Sequence, residues 1–135
     1  MQNAKRKMIC GRIKMNENII ENKSFQFAVR TVNLYKHLTN DKKEYVMSKQ
    51  LLKSGTSIGA NVAEGERGQT KADFYAKLSI ALKEAHETYY WLRLLRATDY
   101  LTEKEFHSIE IDIKEIIALL MAICKTTQEN QQQTL

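Results

Sequence analysis

Not one residue of this chain is proline. Proline fixes φ and removes a backbone donor, so it is the residue that most often breaks a helix from within. A 135-residue chain without it can run long helices unbroken. Its apolar residues recur at three- and four-residue steps, the spacing of helix faces, with no sustained alternation of the strand kind. The length suits one domain with a sizeable core.

Four helices can be read in order. Ser24 is a good N-cap and opens a first helix to about Leu38. Phe25, Ala28, Val29, Val32 and Tyr35 form its stripe, and Phe27, Leu34 and Leu38 add a second apolar edge. Thr39 to Lys43 is a polar break, in which Asn40 or Asp41 can cap a second helix over about 42–64. Tyr45, Leu51, Leu52, Ile58 and Val62 are its apolar positions, and Gly65 ends it, as glycine often does after a helix. Thr70 and Asp73 make a capping-box variant ahead of a third helix to about Ala97. Phe74, Leu78, Ala81, Ala85, Leu92 and Leu95 are its seam. Thr102 and Glu105 form a fuller capping box before a fourth helix carrying Phe106, Ile109, Ile113, Ile116, Ile117, Leu120 and Ile123.

Short connections between four helices imply an all-α fold, an antiparallel up-down-up-down four-helix bundle. The bundle is expected over residues 23–128, between a basic, disordered leader at 1–22 and a polar tail at 129–135. Helices one and four are apolar over more than one face. One buried stripe per helix suffices for a lone bundle, so the surplus predicts a homo-oligomer.

The second helix holds an unusual run from Ser54 to Gly68. Gly55 and Gly59 each cost about 1 kcal/mol relative to alanine inside a helix. Four apart on one face, they predict close approach of another backbone. Ser57, Asn61 and Glu64 share a face at i, i+4 and i+7. They are read as structural, satisfying backbone near the turn between helices two and three, since buried polar groups need partners.

Net charge is +5. Residues 1–22 hold five cations against two carboxylates, a net +3, and the remainder is nearly balanced at 16 against 14. Met8 and Met15 offer alternative starts that would shed some or all of those cations. Within the helices, Lys42, Lys49 and Lys53 fall at i, i+7 and i+11 on helix two, and Arg67 and Lys71 carry positive charge through the next turn. Such a strip can track phosphates, and its bland counterpart is a solvated helix side. Tyr75, Tyr89 and Tyr90 can stack on bases or pack at helical spacing.

Other chemistries find little support. Glu-x-x-His pairs on facing helices would mark a bundle metal site, and none occurs. His37 and His107 lack ligand-spaced neighbours, and Glu84 and His86 point to different faces. Gly65 to Gly68 lacks the lysine and hydroxyl ending of a phosphate loop. No cofactor, metal or catalytic residue is expected. There is no run of 18 apolar residues, no apolar signal segment, and two distant cysteines, a pattern that suits free thiols in the cytoplasm.

The run from Ser57 to Gly65 (SIGANVAEG), with Asp73-Phe74, the stretch from Ala81 to Thr88 and Trp91-Leu92, resembles the 23S rRNA intervening-sequence, or S23, family. The resemblance covers roughly 24–126. It implies a four-helix bundle assembling as a ring-like pentamer, without established catalysis. The accessory protein of diversity-generating retroelements is similar in architecture, which implies RNA or DNA and a reverse transcriptase or other nucleoprotein as partners. The family often has arginine where Lys53 stands, so a planar phosphate clamp is not expected there. The expected function is a non-enzymatic oligomer binding structured nucleic acid, or a nucleoprotein, through repeated basic surfaces. The alternative is a protein-interaction scaffold.

Overall fold

The computed structural model describes the backbone of residues 2–133, and the side chains of residues 14–129. It has four helices: α1 (Gln2–Asn40), α2 (Met47–Glu66), α3 (Lys71–Ala97) and α4 (Glu103–Gln133). No strand occurs among the described residues. Each helix packs on its neighbours in sequence, and α1 closes on α4. The core is one cluster fed by all four, including Phe27, Leu51, Ile58, Leu78, Leu92, Ile113 and Leu120.

The expected boundary at Ser24 does not exist. α1 runs through it, so 1–22 is not set off from the bundle by any break. Ser24 is buried, and its hydroxyl donates to the Glu21 carbonyl at 3.2 Å instead of capping a helix. Ile20, one turn earlier, already belongs to the core. At the other end α4 takes in the expected tail as far as Gln133, and the last two residues lie outside those described.

The two stripes of α1 are also exchanged. Ile20, Ser24, Phe27, Thr31 and Leu38 face inward, while Phe25 is 65% exposed and Val29 43%. An apolar count favours the Phe25 stripe, because the true core edge contains Ser24 and Thr31. Both hydroxyls are satisfied within α1, Thr31 by donating to the Phe27 carbonyl at 2.8 Å. Neither therefore presents a stranded polar group to the core.

These two residues sit against the glycines of α2. A Cβ on Gly55 would lie 2.6 Å from Cγ2 of Thr31 and 2.8 Å from its Oγ1. A Cβ on Gly59 would lie 3.2 Å from the Ser24 carbonyl oxygen. The expected close approach of another backbone is made at Gly59, by Ser24 of α1, whereas at Gly55 the neighbour is the Thr31 side chain. Numbers along α1 fall as those along α2 rise, from Thr31 at Gly55 to Ser24 at Gly59. Gly65 is not a cap beyond the helix as expected. It lies inside α2 with an ordinary negative φ, and a Cβ there would meet Leu78 of α3 at 2.6 Å.

α2 begins at Met47, later than 42, and neither Asn40 nor Asp41 caps it. Glu44 does so from the loop. Its buried carboxylate accepts from the backbone N–H groups of Val46, Met47 and Ser48 at 2.9, 2.9 and 2.6 Å. Burial works to raise this carboxyl, but the three donors outweigh it and hold it below its ordinary value. Tyr45 and Val46, expected inside the helix, precede it and are exposed at 59% and 74%. The two later starts match expectation. Asp73 N–H donates to Thr70 Oγ1 at 3.0 Å. Thr102 N–H donates to Glu105 Oε1 and Glu105 N–H to Thr102 Oγ1, at 2.9 and 3.1 Å.

If Thr31 and Gly55 are in van der Waals contact, Gly55→Ala should lower unfolding free energy by about 1–3 kcal/mol, the range for overpacking. This should happen even though alanine is the better helix former by about 1 kcal/mol. Adding Thr31→Ala should restore part of the loss. Urea unfolding followed by circular dichroism reads both; a Gly55→Ala protein more stable than the parent would show an open site.

Candidate nucleic-acid interface

The cations picked out from the sequence are all exposed, but they do not form one strip. Because Glu44 delays the start of α2, Lys42 lies in the preceding loop, off the helix face expected for it. Lys43 beside it has a φ of 55°, a left-handed conformation. Lys49 and Lys53 are one turn apart on α2, at the same end of that helix as this loop. Arg67 and Lys71 flank the α2–α3 turn at its other end. At 1.5 Å per residue, Lys49 and Arg67 are about 27 Å apart along the axis. The result is a cluster of lysines at one end and a smaller pair at the other. None of these cations makes an ion pair among the described residues.

The span between the clusters is occupied by Ser57, Asn61 and Glu64. Ser57 Oγ donates to the Lys53 carbonyl at 2.6 Å, and Asn61 Nδ2 donates to the Ser57 carbonyl at 2.8 Å. These groups serve the backbone of α2 itself. Glu64 is not buried as supposed; its side chain is 59% exposed and pairs with Lys77 of α3 at 2.9 Å. Such a surface pair contributes little.

Carboxylates border both clusters. Beside Lys53, Glu84 of α3 has its carboxyl raised, by burial first and then by the charge of Glu87, against the pull of Lys83 and Lys53. Next to Arg67, Glu66 is pushed up to about 7, by burial, by a hydrogen bond with Glu21, and by the charges of Glu21 and Glu17. These three glutamates meet where α1 passes the end of α2. Sequence reading missed the group because Glu17 and Glu21 were placed in a separate leader.

A second feature lies between α3 and α4, a groove of about 430 Å³ lined in part by Tyr89, Tyr90, Arg93, Arg96, Phe106 and Glu110. The Tyr89 hydroxyl donates to Glu110 Oε2 at 2.7 Å. That bond raises the Tyr89 hydroxyl and lowers the Glu110 carboxyl. Arg93 and Lys114 each lie over the Tyr89 ring, at 5.7 and 5.8 Å from its centroid. Tyr90 is 54% exposed and meets Trp91 edge-on, with centroids 5.1 Å apart. Tyr75 packs on the core, as does Tyr89. Arg93 and Arg96 were not singled out from sequence, although Tyr90, Arg93 and Arg96 recur at three-residue steps along one side of a helix.

A shallow apolar groove runs between α1 and α2, with Phe25, Ala28, Gly59, Ala60 and Ala63 on its walls. Among the described residues no three metal-ligating side chains are grouped. His37 does have neighbours at the end of α1, with its Nδ1 in a hydrogen bond with Asp41 at 2.7 Å and its Nε2 3.8 Å from Glu105. No helix among the described residues is long and apolar enough to cross a membrane.

Residues 16–122 match the family of the 23S rRNA-intervening sequence protein. The chain belongs to that family. Its fold is similar to a crystal structure from Bacteroides thetaiotaomicron, described as a protein of unknown function from the S23 ribosomal protein family, with 57% identity and a TM-score of 0.80. The similarity covers 82% of this chain and 98% of that one. No curated protein matches. The family match begins at residue 16, ahead of the boundary expected at 23, in agreement with the buried Ile20.

Glu66 makes a pH prediction. A carboxyl raised from 4.5 to about 7 binds its proton more tightly in the folded state, so it favours folding most at low pH. That contribution fades as pH rises from 4.5 through about 7. Glu66→Gln should therefore raise the melting temperature above pH 7 and flatten its fall across this window. A variant whose melting curve tracks the parent at every pH would contradict the cluster.

Proposed function

We propose that this chain is a non-enzymatic, oligomeric helical protein of the cytoplasm that binds structured RNA or DNA, or a nucleoprotein partner, through repeated basic surfaces. The observation carrying this reading is the exposed pair Lys49 and Lys53, without ion-pair partners among the described residues, at the end of α2 that also bears Lys42 and Lys43.

The bundle is proposed to be antiparallel up-down-up-down, and to assemble as a ring-like pentamer. Contacts between α1 and α2 run in opposite numerical order, which supports the first statement. Exposed Phe25 and Val29 on α1, with the small residues of α2 beside them, supply an apolar face for a neighbouring copy. Few lysines on one subunit bind weakly. Several copies on one particle raise the effective concentration for the rest of a polymer.

The same apolar face also favours a second reading, a protein-interaction scaffold with no nucleic-acid role. Two measurements separate them. Light scattering should give about five times the 15.7 kDa chain mass. Fluorescence anisotropy should show binding that favours long, folded RNA over short oligomers and weakens steeply with salt, as counterion release requires. Lys49→Glu with Lys53→Glu should abolish that binding and leave the fold and mass intact. If deleting residues 1–14 alone removes all affinity, the leader is the binder. If no RNA or DNA binds even at low salt, the scaffold reading replaces this one.

A further inference from the structure

A base-stacking site needs an exposed aromatic face, a cation within one nucleotide's reach, and space beside both. Lysines on a helix provide none of the first. The groove between α3 and α4 provides all three. Tyr90 is exposed and is held in position by the adjacent Trp91 ring. Trp91 is itself anchored, with its indole N–H 3.3 Å from Glu87 Oε1 and its ring against the core. Phe106 of α4 and Tyr89 give the groove an aromatic floor.

The charges in this groove are arranged unequally. Its carboxylate, Glu110, is already engaged: it accepts from the Tyr89 hydroxyl, and Lys114 lies 3.6 Å away. Arg93, three residues after Tyr90 and so above it on the same side, is exposed and makes no ion pair among the described residues. Arg96, one turn on, has only a 3.8 Å contact to Asp99, whose side chain is 92% exposed. An anion arriving along α3 therefore meets two arginines, one lying over the Tyr89 ring at 5.7 Å and one with only a long contact to Asp99.

We infer that the α3–α4 groove is a stacking site for an unpaired base of single-stranded nucleic acid, with the base on Tyr90 and its flanking phosphates on Arg93 and Arg96. The inference rests on the nucleic-acid reading above and adds a different face of the bundle, with a different contact. The lysines of α2 would hold phosphates of any strand. The groove would select strands with unstacked bases, since every base has a π-face and a paired base does not offer it. Structured RNA with loops or bulges offers both, and is the class of ligand expected to use the two faces together.

Trp91 is the only tryptophan, and its contact with Tyr90 makes it a reporter. The full chain is titrated with single-stranded hexacytidylate and, separately, with inorganic polyphosphate of matched charge, while Trp91 emission is followed. Hexacytidylate should change the emission, and polyphosphate should not. Tyr90→Ala should weaken hexacytidylate binding about tenfold or more, the scale of one stacked base, and Tyr90→Phe should restore it. Arg93→Gln should reduce the slope of log affinity against log salt by about 0.7, one phosphate's share on a single strand. Unchanged affinity in Tyr90→Ala, or an unresponsive Trp91 at saturation, overturns the inference. So does a change of particle mass in Tyr90→Ala, which would place the groove between copies of the chain. If long RNA is lost by Lys49→Glu with Lys53→Glu but not by Tyr90→Ala, only the groove is refuted. If no form binds any strand at low salt, both readings fall together.

Discussion

The contact between Thr31 and Ser24 of α1 and Gly55 and Gly59 of α2 sets the arrangement of everything else. It seats the Thr31 side chain on Gly55 and the Ser24 backbone against Gly59, with Phe27 and Leu38 of the same edge in the core. Once that edge of α1 faces inward, Phe25 and Val29 must face out. The exposed apolar face of α1 therefore follows from its packing against two glycines on another helix. The same seam leaves the outer side of α2, with Lys49 and Lys53, clear of its neighbours.

The polar residues of α2 and its flanks have several structural tasks, and these limit what they can do for a ligand. Asn61 and Ser57 are bonded to carbonyls one turn back, Glu64 pairs with Lys77, and Glu44 closes the first turn. Among the exposed cations without an ion pair among the described residues are Lys42, Lys49 and Lys53 at one end of α2, Arg67 and Lys71 at the other, and Arg93 near the end of α3. Two basic faces of different character, one carrying lysines alone and one combining arginine with tyrosine, suit a polymer ligand better than a small molecule.

Sequence reasoning found what is encoded locally. Thr102 with Glu105, and Thr70 with Asp73, announce their helices through reciprocal or single bonds spanning three residues. Gly55 and Gly59 could be read because an unfavourable residue repeated on one face implies a neighbour. What escaped depended on packing. Ser24 has the chemistry of a cap, but burial against α2 makes it a core residue in mid-helix. Glu44 is two to four residues from the N–H groups it serves, and no common motif marks it, so Lys42 was assigned to a helix that had not yet begun. Of the candidate site, the exposure of the lysines was legible, but their division into two clusters was not. Arg93 and Arg96 went unremarked because their value comes from α4, which supplies Phe106 and Glu110.

Phe27 is core and Phe25 is exposed; in the proposed oligomer the two stripes of α1 have separate roles, Phe27 holding the fold and Phe25 holding the particle together. Light scattering combined with circular dichroism on Phe25→Asp tests it most directly. The account predicts a helical, cooperatively melting protein of one-chain mass, because a charge on the outer stripe prevents association and leaves the core untouched. A Phe25→Asp protein that unfolds would show that this stripe is core after all. One that keeps the parent's oligomeric mass would show that the particle is held together elsewhere.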